Sequence, residues 1–335
     1  MDPLTQGLLG GALAQSAAGG KDTRPATLIG CVAGMLADAD ILIRAADDPL
    51  LNVEFHRHFT HSLVFIPVGA AIAALLFRPF LRRRMGFERI YLYALLGYAT
   101  AGLLDACTSY GTHLLWPFSD ERIAWGVIPI VDPVFSFVLL VALLAGLKMR
   151  RAVPVRIGLT LAGAYLLLGL WQHHNALDAA RDLAARRGHT VERILVKPTL
   201  ANLVLWRSVY RNGETYYVDA VRVGPGPDRV YPGGSAPGFV LERDRPDLPK
   251  DSVLVRDIER FRRLSDDFVV PDPGRDNVLI DIRYSMLPTG TAPMWGIDLN
   301  VPSPARHAQF RVYRDRTENG REIFLAMLLG RDLPQ

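Results

Sequence analysis

The chain has 335 residues, half of them hydrophobic, with a formal net charge of +4 and a mean hydropathy of +0.15; that length leaves room for two domains. The basic balance does not point to nucleic acid, because Lys and Arg of the first half sit in short clusters between apolar runs, which is a membrane-orientation pattern. Two cysteines, Cys31 and Cys107, lie in apolar stretches; they exclude a disulfide framework or a CxxC metal motif and read as small core residues.

Apolar runs occupy about 4–18, 26–43, 61–77, 89–107, 127–147 and 156–172. A spanning helix needs about 20 residues, which the last four supply. The first two are short and rich in glycine, and they predict a helical hairpin held by small residues. The N-terminus lacks a basic segment ahead of its apolar run, so no cleavable signal peptide is expected. Basic clusters at Arg78–Arg89 and Lys148–Arg156, with Lys21 and Arg24, predict three cytoplasmic loops. Alternation then puts residues 44–60, 108–126 and everything after about 173 on the opposite side, the periplasm of a bacterium.

Several polar stretches converge on that side. "GMLADADILI" carries Asp38 and Asp40 at the end of an apolar helix. Residues two apart meet one point only if the helix loosens, and two carboxylates at the negative end of a helix dipole call for a cation. The alternative is that they mark the membrane boundary. "HRHFTHS" supplies His56, His58 and His61. Mixed His/Asp sets suit zinc, manganese or iron; the alternative is interfacial histidines, with Thr60 capping a helix that starts at His61. His58 is the weakest ligand of the three. Asp105 lies at the end of another apolar helix, where an ionisable residue marks function. Thr108, Ser109 and Thr112 follow it, to bind an oxyanion or to cap the helix. His113 is a nitrogen of undefined role, and Asp120 and Arg122 lie between Trp116 and Trp125, two interface anchors. Asp132 before Pro133 reads as an N-cap.

These stretches resemble the bacterial inner-membrane family known as LexA-inducible membrane-bound metal-dependent hydrolases (YdjM type). The resemblance rests on "MDPLTQGLLG", "GMLADADILI", "HRHFTHSL", "LLDACTSYGTHLLWPFSDERIAW" and "DPVF", in order, over about residues 1–150. It is distantly similar to zinc-dependent phospholipase C and to the single-strand-specific zinc nucleases. It implies a metal-dependent hydrolase. The chain departs from the pattern at Gln6 and Ala101, where many relatives have His. That leaves a mononuclear or dinuclear site from Asp38, Asp40, His56, His61 and Asp105, or a site without catalysis. The expected ion is divalent, zinc foremost. Asp40 is a further ligand or orients a histidine, and Arg57 and Arg122 hold an anionic group of a phosphoester or lipid-linked substrate.

From His173 an amphipathic helix continues to Gly188, with His173 and His174 solvated. "NLVLWRSVYRNGETYYVDAVRV" reads as a hairpin around Asn212-Gly213. "NVLIDIRYSM", "MWGIDLNV", "AQFRVYR" and "REIFLAMLLG" read as strands, "SVLVRDIERFRRLSDD" as a helix and "GPGPDRVYPGGSAPG" as a loop. The expected architecture is a mainly α membrane bundle of about six apolar helices (1–172), a connecting helix (173–190), and a small β-rich α+β extramembrane domain (191–335). Its leading function is a multi-pass inner-membrane hydrolase with a periplasmic C-terminal domain. The alternative is a non-enzymatic scaffold whose β domain binds a periplasmic protein.

Overall fold

The computed structural model describes residues 1–335 apart from 225, 227, 314–318 and 334–335. The chain divides into two compact units. One is Met1–Leu42, Phe55–Trp171 and Leu200–Leu203; the other is Ile43–Glu54, Gln172–Thr199 and Val204–Gln335.

The helices of the first half are α1 (Pro3–Ser16), α2 (Thr23–Leu36), α3 (Leu51–Phe55), α4 (Ile66–Leu81), α5 (Phe87–Ala106), α6 (Pro133–Met149) and α7 (Val153–Arg186). Their starts follow local chemistry. Asp2 caps α1 through Thr5 N ahead of Pro3, and Asp132 caps α6 through Phe135 N ahead of Pro133, as the sequence predicts. The expected hairpin of small residues forms between α1 and α2. A Cβ placed on Gly10 would lie 2.6 Å from the Gly30 carbonyl oxygen, and one on Gly34 would lie 2.7 Å from that of Gln6. Helix α5 enters the same crossing, where a Cβ on Gly97 would lie 2.5 Å from Gly30 O. Backbones this close gain dispersion contacts that lipid cannot replace.

Among the described residues, three helical stretches are long and apolar enough to cross a membrane: Gly20–Leu42, Leu63–Leu81 and Val153–Arg186. The expected six reduce to these for physical reasons. Helix α1 has 14 residues, about 21 Å of rise, short of a ~30 Å hydrocarbon core. Helix α6 is also shorter. Helix α5 has the length but carries Glu88, Arg89, Thr100, Asp105 and three tyrosines. Cys31 and Cys107 are half-buried thiols rather than fully buried ones. The helix expected to begin at His61 begins at Ile66 instead, after two 3-10 turns. Ser62, not Thr60, caps the second of these turns.

Basic segments gather at one end of this unit. Arg89 pairs with Asp22 at 3.2 Å, and Arg156 donates twice to the Ser16 carbonyl, at 3.0 and 3.2 Å. The carboxylates and histidines lie at the opposite helix ends.

The second unit holds two four-stranded antiparallel sheets in sequential order. The first comprises β1 (Arg193–Pro198), β2 (Leu205–Asn212), β3 (Thr215–Arg222) and β4 (Arg229–Pro237). The second comprises β5 (Val269–Pro271), β6 (Val278–Asp281), β7 (Trp295–Asp298) and β8 (Gln309–Val312). Its helices are α8 (Leu241–Asp244), α9 (Val253–Leu264) and α10 (Gly320–Leu329). The Asn212-Gly213 hairpin forms, with Gly213 at φ +59°. The α9 helix forms with Ser252 as its cap.

Three expectations change. "REIFLAMLLG" is helix α10, not a strand, and it buries Met327 against Leu205, Ala220 and Tyr231. Most of the expected "GPGPDRVYPGGSAPG" loop is strand β4, with Gly233 N donating to Asp219 of β3 at 3.1 Å; its Pro225 and Pro227 lie outside the described residues, as does Arg314 of "AQFRVYR". His173 is not solvated: its Nε2 lies 3.1 Å from the Val196 carbonyl oxygen.

The segment 43–54, expected with the membrane half, belongs to the second unit. Leu50 is fully buried among Phe239, Leu254, Ile258 and Ile297. Arg260 of α9 grips Glu54 at 2.6 Å and Asp48 at 3.0 Å.

Candidate metal centre

The α2 helix tightens into a 3-10 turn over Ala37–Leu42, where the sequence suggests loosening; either departure from α geometry changes the angle between residues two apart, and here Asp38 and Asp40 both reach His61. The Asp40 side chain is fully buried and works as a hub. Its carboxylate accepts from Arg57 N at 2.8 Å and Thr60 Oγ1 at 2.9 Å. It also lies 3.0 Å from His56 Nδ1 and 3.3 Å from His61 Nδ1.

The turn that brings these groups in is pinned on both sides. Arg57 has φ +61°, a conformation costly for a non-glycine residue. Its carbonyl accepts from Thr112 Oγ1 at 2.9 Å and from His113 N at 3.1 Å. Together with the Asp40 bond, these contacts over-determine the backbone.

His61 is buried, and its Nε2 lies 3.2 Å from Asp38 Oδ1 and 3.1 Å from Asp105 Oδ2. One donor atom from each of Asp38, His61 and Asp105 falls within 4.8 Å of the others. With Nδ1 protonated toward Asp40, a neutral imidazole presents its Nε2 lone pair to two carboxylates. That arrangement repels unless a proton or a metal cation lies there. Asp40 is then the carboxylate that orients the ligand histidine.

Asp105 is fully buried and accepts from Gln6 Nε2 at 3.0 Å. Arg57 Nε lies 3.2 Å away, and the Met1 amine completes the set. Burial, then Arg57, lower that amine's pKa to about 6 against the opposing pull of Asp105. Gln6, which stands where many relatives have His, thus donates to Asp105, and its buried Oε1 has no hydrogen-bond partner. Ala101, one turn before Asp105, is buried and offers no donor.

The remaining candidates lie further out. His56 is held on Asp40 and is about a quarter exposed; it is outside the triad. Arg57 neutralises Asp105 and donates to Thr108 Oγ1 at 3.2 Å. Arg122 lies over the Tyr110 ring at 4.8 Å and donates to His56 O at 3.5 Å. His58 packs against His113 with ring centroids 4.5 Å apart and planes tilted by 45°, beside Trp116. Burial, then Arg122 and His58, lower the His113 pKa to about 4. Thr108 caps the end of α5, donating to Asp105 O at 2.8 Å. Sequence reasoning gives Thr60 a capping role and misses its bond to Asp40, the Tyr98 hydroxyl that donates to Thr60 O at 2.8 Å, and Tyr110. The placement of Thr60 between His58 and His61 is the one signal that bears on it.

Helices long and apolar enough to cross a membrane, with a carboxylate–imidazole cluster at their ends, define a membrane protein with a candidate metal centre. The family model described as "YdjM inner membrane protein" matches residues 1–176. The chain therefore belongs to that family, and it is an inner membrane protein. It is similar to the inner membrane protein YbcI of Escherichia coli (strain K12), 37% identical over 105 residues, 30% of this chain and 60% of that protein. It is also similar to the uncharacterized protein YfhP of Bacillus subtilis (strain 168), 27% identical over 201 residues, 58% of each chain. The chain thus spans under two thirds of either relative's length. No solved structure matches it.

Proposed function

We propose that the protein is an inner-membrane metal-dependent hydrolase with Asp38, His61 and Asp105 as the ligands of a divalent ion, zinc foremost. The observation that carries this reading is His61 Nε2 held 3.2 and 3.1 Å from two carboxylates in a buried place. One buried and one partly buried carboxylate with a buried imidazole are a donor set that zinc accepts. The unpartnered Gln6 Oε1 is a further oxygen that a cation would satisfy. When bound, such an ion lowers the pKa of water to about 7 and polarises a phosphoryl or acyl oxygen.

The chain's own residues divide the remaining work. Asp40 fixes the tautomer of His61 and the position of His56. Arg57 balances the charge of Asp105. Arg122 and His56 are partly exposed groups at the rim, placed to meet an anionic phosphoester or lipid-linked substrate. The positive-inside pattern supports a periplasmic site and a periplasmic C-terminal unit. Metal per mole of detergent-purified protein tests the reading. Asp38→Ala, His61→Ala and Asp105→Ala should each abolish stoichiometric metal, and His58→Ala should retain it. Wild-type protein without metal after dialysis against a weak chelator refutes the proposal.

A non-enzymatic scaffold with a periplasmic protein partner is the second reading. Its specific support is that Arg57 already compensates Asp105.

A further inference from the structure

At the basic end of the first unit, remote from the triad, α2 and α6 flank a groove of about 500 Å³. Its mouth carries Arg24 and Lys148, and its walls include Leu28, Cys31 and Leu147. The volume is in the range of small-ligand sites. Neither Arg24 nor Lys148 has an ion-pair partner among the described residues, although the carboxylate of Asp22 nearby takes Arg89. Two uncompensated cations therefore face one apolar groove at the end of a membrane-crossing helix.

A second, independent observation comes from α1. Gln15 is fully buried, and both its side-chain oxygen and nitrogen lack a hydrogen-bond partner. A buried amide left unpaired costs about 1–3 kcal/mol. The amide nitrogen lies 2.7 Å from where a Cβ on Gly146 would be, one residue from the groove's Leu147. Replacing Gly146 would push this amide out of place, so the glycine keeps a polar group beside an otherwise apolar wall.

We infer that this groove is a binding site for an anionic glycerophospholipid, its phosphodiester between Arg24 and Lys148. The acyl chains run along the exposed faces of α2 and α6, where Leu28 is 57% and Leu144 57% exposed. The charge decides the class of headgroup. A zwitterionic lipid brings its own ammonium to two cations, whereas phosphatidylglycerol brings net negative charge. Basic pockets at helix ends recognise anionic headgroups in this way. The inference does not depend on the metal centre.

Native mass spectrometry of the detergent-purified full chain tests it, with phosphatidylglycerol and phosphatidylcholine supplied at equal mole fraction. One phosphatidylglycerol per chain should be retained. The double variant Arg24→Gln/Lys148→Gln should lower retention at least tenfold. Arg82→Gln/Arg83→Gln, which removes the same charge outside the groove, should leave it unchanged. Leu147→Trp, which fills the groove without altering charge, should also lower it. Equal retention of both lipids, or equal loss in the two double variants, would overturn the inference in favour of diffuse electrostatics. Displacement of the lipid by millimolar inorganic phosphate would show a site for a free anion and also overturn it.

Discussion

Gly34 lies one helical turn before Asp38, and its Cα faces the α1 backbone. A Cβ added there would lie 2.7 Å from the Gln6 carbonyl oxygen, while ordinary contact begins at 3.4 Å. Gly34→Ala therefore demands about 0.7 Å of separation, and no flexible side chain can yield because the obstacle is backbone. Metal sites tolerate about 0.5 Å of misplacement. Both partners of the clash lead to the centre: α2 carries Asp38, and Gln6 carries the amide on Asp105. The expected result is a metal affinity about 10–100-fold weaker, with a stability loss of about 1–3 kcal/mol from overpacking. No ligand is altered. Competition with a chromogenic chelator measures the affinity, and thermal unfolding in detergent measures the fold. Gly19→Ala is the control, because a Cβ there meets nothing within 4 Å. Wild-type metal affinity in Gly34→Ala with a lowered unfolding temperature would refute the claim that the α1–α2 spacing sets the centre.

Other outcomes follow from the same geometry. Leu50→Ala should destabilise the second unit by about 2–5 kcal/mol, the cost of a core cavity, read as its denaturation midpoint. A fragment of residues 187–335, which lacks Leu50, Asp48 and Glu54, should unfold at lower denaturant than the second unit of the full chain; equal midpoints would remove the segment 43–54 from that core. Arg260→Ala leaves Asp48, Glu54 and Asp257 clustered without their cation and should cost about 2 kcal/mol, a figure reduced for partial exposure. His113 has its folded pKa lowered to about 4 from an ordinary 6.5, so the unfolded chain binds the extra proton between those values. Stability from this group is present above pH 6.5 and is lost as the pH falls toward 4. His113→Gln should flatten that part of the unfolding temperature against pH, and an unchanged slope would assign it to other groups. A reporter fused after Gly188 should score periplasmic, with those after Arg84 and Met149 cytoplasmic.

What the sequence reveals is local. Asp132-Pro133, Asn212-Gly213 and the helix within "SVLVRDIERFRRLSDD" are each read from a few adjacent residues, and each stands in the structure. The glycines of the first two apolar runs announce their hairpin for the same reason. "REIFLAMLLG" misleads because a short apolar run carries no clear period. Its Leu, Met, Ala and Glu favour helix, and Ile323 and Met327 lie four apart on one face. At the centre, Asp38, Asp40, His61 and Asp105 stand out by residue type alone. The division of labour among them does not, since it depends on which imidazole nitrogen each carboxylate meets and on the Arg57 and Thr60 donors that reach Asp40 alone. The role of Thr60 depends on a chain reversal that brings residue 60 to residue 40. The attachment of Leu50 to the second unit depends on partners about 200 residues away. Neither distance leaves a trace in local pattern.

The order of the chain also bears on how the centre is made. Gln6, Asp38, Arg57 and His61, which surround the Asp105 carboxylate, all precede it in the polypeptide. A ribosome therefore delivers the amide, the guanidinium and the imidazole to the membrane before the acid that needs them. The α1–α2 crossing that receives α5 at Gly97 is likewise synthesised first. The partners of Asp105 are thus in the membrane before it, so an ionised group that is expensive in lipid need not wait there bare. Assembly during synthesis is in this sense encoded by reading direction, and a circularly permuted chain beginning at α5 would have to insert the acid before any of its counterparts.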